Sequence, residues 1–135
     1  MATSTRMHKD TRNRIDHSVA PIEYTIDAKG RPFGRVASEA ASALLGKKSV
    51  HYVKNKVLPV KVTITNASKV AISEKKMDAN KYLRYTGYPG GLKTLTMKQF
   101  IEKKGVAAVL HKTVDGMIPR NKLRKERMKR LTITD

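Results

Sequence analysis

The sequence predicts a single α/β domain with parallel strand pairing and a strongly basic C-terminal helix. Three observations carry that expectation. The chain's 135 residues suit one domain. A strand pattern, a helical pattern and a second strand pattern follow one another between Ile22 and Ile64. That is the order of a βαβ unit, for which a right-handed crossover and parallel pairing are expected. Between Arg120 and Arg130 the chain carries Arg120, Lys122, Arg124, Lys125, Arg127, Lys129 and Arg130, with Glu126 as the sole acid.

The elements follow in order. Residues 1–20, MATSTRMHKDTRNRIDHSVA, are polar, mixed in charge and without period, so they read as an extension that is disordered alone and ordered on a partner. Their opening Ser, Thr and Arg resemble a transit peptide in outline, but Asp10, Asp16 and the lack of an amphipathic stripe argue against one. The domain proper spans residues 21–135. Ile22, Tyr24 and Ile26 alternate with polar residues as in a strand, and Asp27 to Gly30 supplies a turn. Val36, Ala37, Ala40, Ala41, Leu44 and Leu45 then form an alanine-rich helical face, closed by Gly46 at a C-cap position. Val60, Val62 and Ile64 predict the second strand. Asn66-Ala67 ends it, and Val70 and Ile72 give a further short apolar stretch.

Residues 96–104 predict a helix with Met97, Phe100 and Ile101 inward and Gly105 closing it, and Val106 to Val114 predict another. Gly116 to Pro119 reads as an apolar turn, with Pro119 suited to the first turn of the basic helix that follows. Leu123, Arg127 and Leu131 fall on one line of that helix, leaving a thin apolar stripe among cations. A helix so charged is expected to resist burial, because desolvating unpaired Arg and Lys is costly. Leu131 and Ile133 suggest a last short strand.

Composition narrows the function. Lys and Arg number 29 against 11 acids, for a net charge of +18 and a pI near 10.4. A small domain with that much self-repulsion calls for a polyanion, and nucleic acid is the default one. A membrane surface would require bulky apolar anchors, yet the chain has no Trp and two Phe. Cysteine is absent, which excludes disulfides and thiolate metal sites and fits a reducing compartment. His8, His17, His51 and His111 show no metal-ligand spacing, Ser38 and Ser42 have no evident partner His, and no paired carboxylates stand out. No cofactor, metal, small-molecule substrate or enzymatic activity is expected.

The segment Gly87 to Thr94 superficially suggests a phosphate-binding loop. Such a loop needs glycine directly before its Lys-Ser/Thr, and Leu92 stands there instead. The residues around it fit RNA better. Lys81, Tyr82, Arg84, Tyr85 and Tyr88 interleave cations with aromatics ahead of Gly90, Gly91 and Lys93. Aromatic and guanidinium planes stack on exposed bases, while glycines let backbone approach phosphates. The bland alternative is a glycine turn with positive φ at Gly90 or Gly91. Arg31 and Arg35 near a helix N-terminus are candidate phosphate contacts, whereas Gly30 and Gly34 read as turn and packing glycines. Lys47 and Lys48, with His51, Tyr52, Lys54 and Lys56, form a further basic cluster in a linker.

Four blocks in this order carry a family resemblance: YTIDAKGRPFGRVAS (24–38), ITNASKVAIS (64–73), YTGYPGGLK (85–93) and VDGMIPRNKLRKERMKRL (114–131). Together, over about residues 22–134, the chain resembles the large-subunit ribosomal protein L-thirteen family in its bacterial form. The resemblance implies a three-layer α/β/α domain with a small, mainly parallel sheet between helices. It also implies a structural, non-catalytic role on large-subunit (23S-type) rRNA in early assembly. The protein would act as a monomer beside neighbouring large-subunit proteins, on a cytoplasmic rather than an organellar ribosome, with residues 1–20 ordered there. The alternative function is an RNA-binding regulator of the same fold acting off the ribosome.

Positions shared with the family's rRNA-contacting motifs are Arg31, Gly34, Arg35, Thr86, Gly87, Gly90, Gly91, Lys93, Gly116, Met117, Pro119, Lys122, Leu123 and Arg124. The residues themselves add Lys47, Lys48, Arg84, Tyr85, Tyr88, Arg120, Asn121, Lys125 and Arg127 as RNA-binding candidates. The chain departs from the family at Lys54 to Pro59, where relatives often carry an acidic, glycine-containing segment, and in ending soon after Ile133. Contacts made by relatives in those places do not transfer.

Overall fold

The structure, a computed structural model, describes residues 19–135. The expected N-terminal extension therefore lies, through residue 18, outside the described residues. Strand β1 (Ile22–Asp27), helix α1 (Phe33–Leu45) and strand β2 (Val60–Thr65) form the predicted unit, with β1 and β2 parallel and Ile22 opposite Val60. Strand β5 (Leu131–Ile133) joins the far side of β2, also parallel, giving the order β1-β2-β5.

Alternation decides which sheet face is covered. Ile26, Val60, Val62 and Ile64 are buried on one face, beneath the alanine face of α1 and with Val114, Ile118 and Met128. Removing a side chain such as Ile64 from water contributes about 2–3 kcal/mol. The small alanines let α1 lie close to the sheet, and Gly46 caps it at φ 81°. The α/β class and the parallel sheet are as the sequence predicts. The opposite face carries Glu23, Thr25, Asp27, Lys61 and Thr132, all exposed. Thr63 and Thr65 of the same face are half-buried.

Beyond the sheet the chain adds elements that its sequence pattern does not announce. A 3₁₀ turn (Ala67–Lys69) and a short helix α2 (Glu74–Ala79) follow β2. Strands β3 (Lys81–Tyr85) and β4 (Leu92–Thr96) then pair antiparallel as a separate hairpin. Only Tyr82, Leu95 and Thr96 of the hairpin strands are partly covered, so no hydrophobic alternation marks them. Helix α3 (Met97–Met117) starts with a capping box between Thr96 and Gln99. It is broken at Gly105 (φ 80°, ψ 168°), so the two predicted helices exist end to end. A second core cluster, Phe33, Ala67, Met97, Val109 and Leu110, fixes α3 beside the sheet.

The basic segment differs from expectation in three respects. Gly116 and Met117 still belong to α3, so the turn begins at Ile118 (2% exposed). Pro119 lies outside the next helix, α4 (Lys122–Met128), whose N-cap is Asn121 accepting from the Leu123 amide at 3.1 Å. That helix has only seven residues.

Candidate RNA interface

The Thr86–Gly91 loop at the hairpin tip has a built geometry. The Thr86 amide donates to the Gly91 carbonyl (3.2 Å) and the Gly91 amide to the Tyr88 carbonyl (2.9 Å). Gly87 and Gly90 hold φ of 90° and 74°, which any β-carbon would strain. Gly91 has an ordinary φ and is required for a different reason. A β-carbon there would overlap the Thr86 hydroxyl and approach the Tyr88 carbonyl to 2.9 Å. The positive φ expected at Gly90 or Gly91 thus falls at Gly90. Around this closed loop Tyr85 and Tyr88 are 62% and 76% exposed, and Arg84 faces Lys93 across the strands, both exposed.

The segment 120–130 around α4 divides its cations between two directions. Arg127 is 3% exposed and its guanidinium donates to the Lys56 carbonyl at 3.2 Å. Burial pushes its pKa down, offset in part by Tyr52. Arg130 donates likewise to the Leu58 carbonyl at 3.2 Å. These two side chains tie the helix to the 56–58 segment. Arg127, predicted as an RNA contact on a helix that should resist burial, is therefore a structural residue. Its carbonyl bond and its packed aliphatic stem offset a desolvation cost that would be prohibitive for an unpaired cation. A signal for this exists in the sequence, since Arg127 shares a helical line with the buried Leu123. Arg120, Lys122, Lys125 and Lys129 point outward, Lys129 beside Glu126 (3.2 Å), and Arg124 is half-buried against Asp115 at 3.2 Å. Pro119 and Met117 are exposed next to them.

The third group sits at the start of α1. Backbone bonds between Phe33 and Ala71 (3.1 Å) and between Ala71 and Arg31 (3.0 Å) pin that loop to the segment after β2. Arg31 and Lys48 both bind Glu39, at 2.7 and 3.0 Å. The Arg31 and Lys48 bonds hold the Glu39 carboxyl below the usual glutamate range. Lys48 also lies over the Tyr24 ring at 5.4 Å. Arg35 and Lys47 are exposed and form no ion pair among the described residues.

Two gatherings leave no mark in the sequence. Lys103, Lys104, His111 and Lys112, spaced as helix-surface residues, come to face Arg84 across a cleft of about 500 Å³. Leu83 and Leu92 project outward beside Tyr85, 64% and 59% exposed. Among the described residues no cluster of His, Asp or Glu is placed to hold a metal ion, and no helix is long and apolar enough to cross a membrane.

A small α/β frame that displays its cations from turns and short elements defines a class, the proteins that present a fixed basic surface to a polyanion. The family model described as "Ribosomal protein L13" matches residues 22–134, and the chain belongs to that family. It is 40% identical over 116 residues to "Large ribosomal subunit protein uL13m" of Schizosaccharomyces pombe, covering 86% of this chain and 74% of that one. Against "Large ribosomal subunit protein uL13" of Caldanaerobacter subterraneus it is 38% identical, covering 82% and 76%. The Geobacter sulfurreducens protein of the same name is 36% identical, with 93% and 87% covered. Membership makes the chain a structural, non-enzymatic protein of the large ribosomal subunit, and the ribosome its location.

Proposed function

We propose that the protein binds large-subunit rRNA as a monomer, through two main surfaces, and supports early subunit assembly. One surface is the hairpin tip, with Arg84, Tyr85, Thr86, Gly87, Tyr88, Gly90, Gly91 and Lys93. The other runs from the end of α3 at Gly116 through the turn and α4 to Lys129, led by Arg120, Lys122 and Lys125. Arg35 and Lys47 flank them, and Arg31 and Lys48 contribute less while Glu39 holds them. The observation that carries this reading is the division of cations in and around α4. The inward Arg127 and Arg130 fix a helix too short to be stable alone, and the outward Arg120, Lys122 and Lys125 are left for an external anion.

Rigid presentation favours folded RNA, whose phosphates occupy fixed positions, over a flexible polyanion. The exposed Leu83 and Leu92 suit a neighbouring large-subunit protein rather than RNA. Crosslinking the protein to RNA within purified large subunits, with crosslinked residues mapped, tests the assignment. Crosslinks should concentrate at 84–93 and 117–125. Their confinement to other parts of the chain would sink it.

A further inference from the structure

The cleft between the hairpin and α3 has features that general charge neutralisation does not require. Its floor is apolar and fixed. The Tyr82 and Phe100 rings lie 5.0 Å apart and tilted by 47°, with Leu95 and Ala108 beside them. Its rim is cationic. Lys112 Nζ lies over the Tyr82 ring, 4.7 Å from its centre, and over Phe100 at 5.4 Å, and Lys104 Nζ lies over Phe100 at 5.7 Å, so a base reaches these rings only as the flexible lysine stems swing their ammoniums out toward its phosphates. Arg84 and Lys103 complete the rim. No carboxylate lines the cleft, and none among the described residues pairs with these four cations. Gathered like charges of this kind repel one another until an anion joins them.

The cleft also leads somewhere. His111 lines both this cleft and the adjoining groove between α3 and α4, whose wall includes Lys122 and Lys125. The two depressions meet at His111, and the second also carries Asp115, which is paired with Arg124 at 3.2 Å.

We infer that the cleft receives an unpaired nucleotide of the bound RNA, its base over the Tyr82–Phe100 floor and its phosphates on the Lys103, Lys104 and Lys112 ammoniums, and that the strand continues past His111 along α4. The volume lies within the roughly 300–1,000 Å³ of pockets that hold small organic ligands. An apolar ring pair with several cations matches a flat base joined to phosphate, since bases stack on aromatic faces and phosphates seek Lys and Arg. This inference rests on the RNA-contact reading above, and the test separates the two.

The full-length protein is titrated with single-stranded hexauridylate carrying a photoreactive 4-thiouridine, and with hexaglutamate as a competing polyanion. A Lys103→Gln/Lys112→Gln variant alters only exposed side chains and should fold normally. It should bind the hexamer about tenfold more weakly, as removal of two charge-assisted bonds would give. Crosslinks in the unaltered protein should fall on Tyr82 or Phe100. The Lys122→Gln/Lys125→Gln variant serves as the comparison. If only that second variant binds more weakly, the cleft inference is overturned and the RNA-contact reading stands. If neither variant does, the cleft inference is likewise overturned, while the RNA-contact reading is judged by the crosslinks to folded rRNA in large subunits. Equal affinity for hexaglutamate and hexauridylate at the cleft would show a site for acidic peptide, and would also overturn the inference.

Discussion

The two basic surfaces are held by opposite means. Helix α4 is anchored from beneath, by buried Leu123 and Met128 and by arginines that reach the carbonyls of Lys56 and Leu58. The β3–β4 hairpin is anchored along one side, by Tyr82 against Phe100, and leaves Leu83, Tyr85, Tyr88 and Leu92 in solvent. A two-stranded hairpin is marginal by itself, and its tip owes its shape to glycine geometry rather than packing. In one region positive charge builds the frame. In the other the frame is uncharged and the charge is displayed. Counting cations along the sequence cannot tell these uses apart.

The sharpest way to break that comparison is at Arg127. Arg127→Ala should cost about 2–4 kcal/mol, from the cavity left by a long buried side chain and a carbonyl deprived of its donor. Urea denaturation measures it. Lys125→Ala, two residues away and exposed, should change stability by no more than about 0.5 kcal/mol. If the two substitutions cost the same, Arg127 is not part of the frame.

Gly91→Ala probes the other kind of support. Its β-carbon would meet the Thr86 hydroxyl and the Tyr88 carbonyl. Overpacking of this sort costs about 1–3 kcal/mol in a core, and less in a loop free to shift. The expected result is a small drop in global stability with a clear drop in RNA affinity. Adding Thr86→Ala should recover part of it. Full affinity in the single variant would mean that the loop's closed shape is irrelevant to binding.

The sheet and α1 are legible in the sequence because their side chains obey the period-2 and helical patterns that burial imposes. The hairpin is not, because β3 and β4 bury little and so show no alternation; Arg84 and Lys93 simply face each other across them. Their pairing is set by the Gly87–Gly91 turn instead. The Thr-Gly-x-x-Gly-Gly block is legible as a unit, but not the reason for its last glycine, which lies in the close approach of Gly91 to Thr86. Arg127 is deceptive because the sequence shows a charge but not the carbonyl of Lys56 that receives it. The cleft around Tyr82 joins residues from either side of the Gly105 break, and no local spacing encodes that meeting.

Removing displayed charge should leave stability alone and change the salt dependence of binding. Each phosphate that is no longer neutralised flattens the slope of log K against log salt by roughly 0.7–0.9. The triple variant Arg120→Gln/Lys122→Gln/Lys125→Gln should therefore lower the slope by about 2 to 3. Filter binding to large-subunit rRNA across a salt series reads it out. An unchanged slope would place these side chains away from phosphate.

The smallest effect concerns cations that are neither buried nor free. Glu39 holds Arg31 and Lys48, and its folded pKa lies below the ordinary glutamate value of 4.5. A depressed carboxylate contributes stability above its unfolded pKa and loses it as pH falls through the folded one. Its share of the pH profile thus declines only in acid below about 4.5. At a third exposed, the cluster contributes on the order of 0.2–1 kcal/mol. Glu39→Gln should remove that acid-dependent part, seen in urea midpoints across the acid range. At neutral pH the same change releases Arg31 and Lys48 toward solvent. RNA affinity should then rise slightly and the salt slope steepen by about 1 to 2, opposite in sign to the triple variant. A flatter or unchanged slope would mean that Glu39 is not what keeps those cations from phosphate.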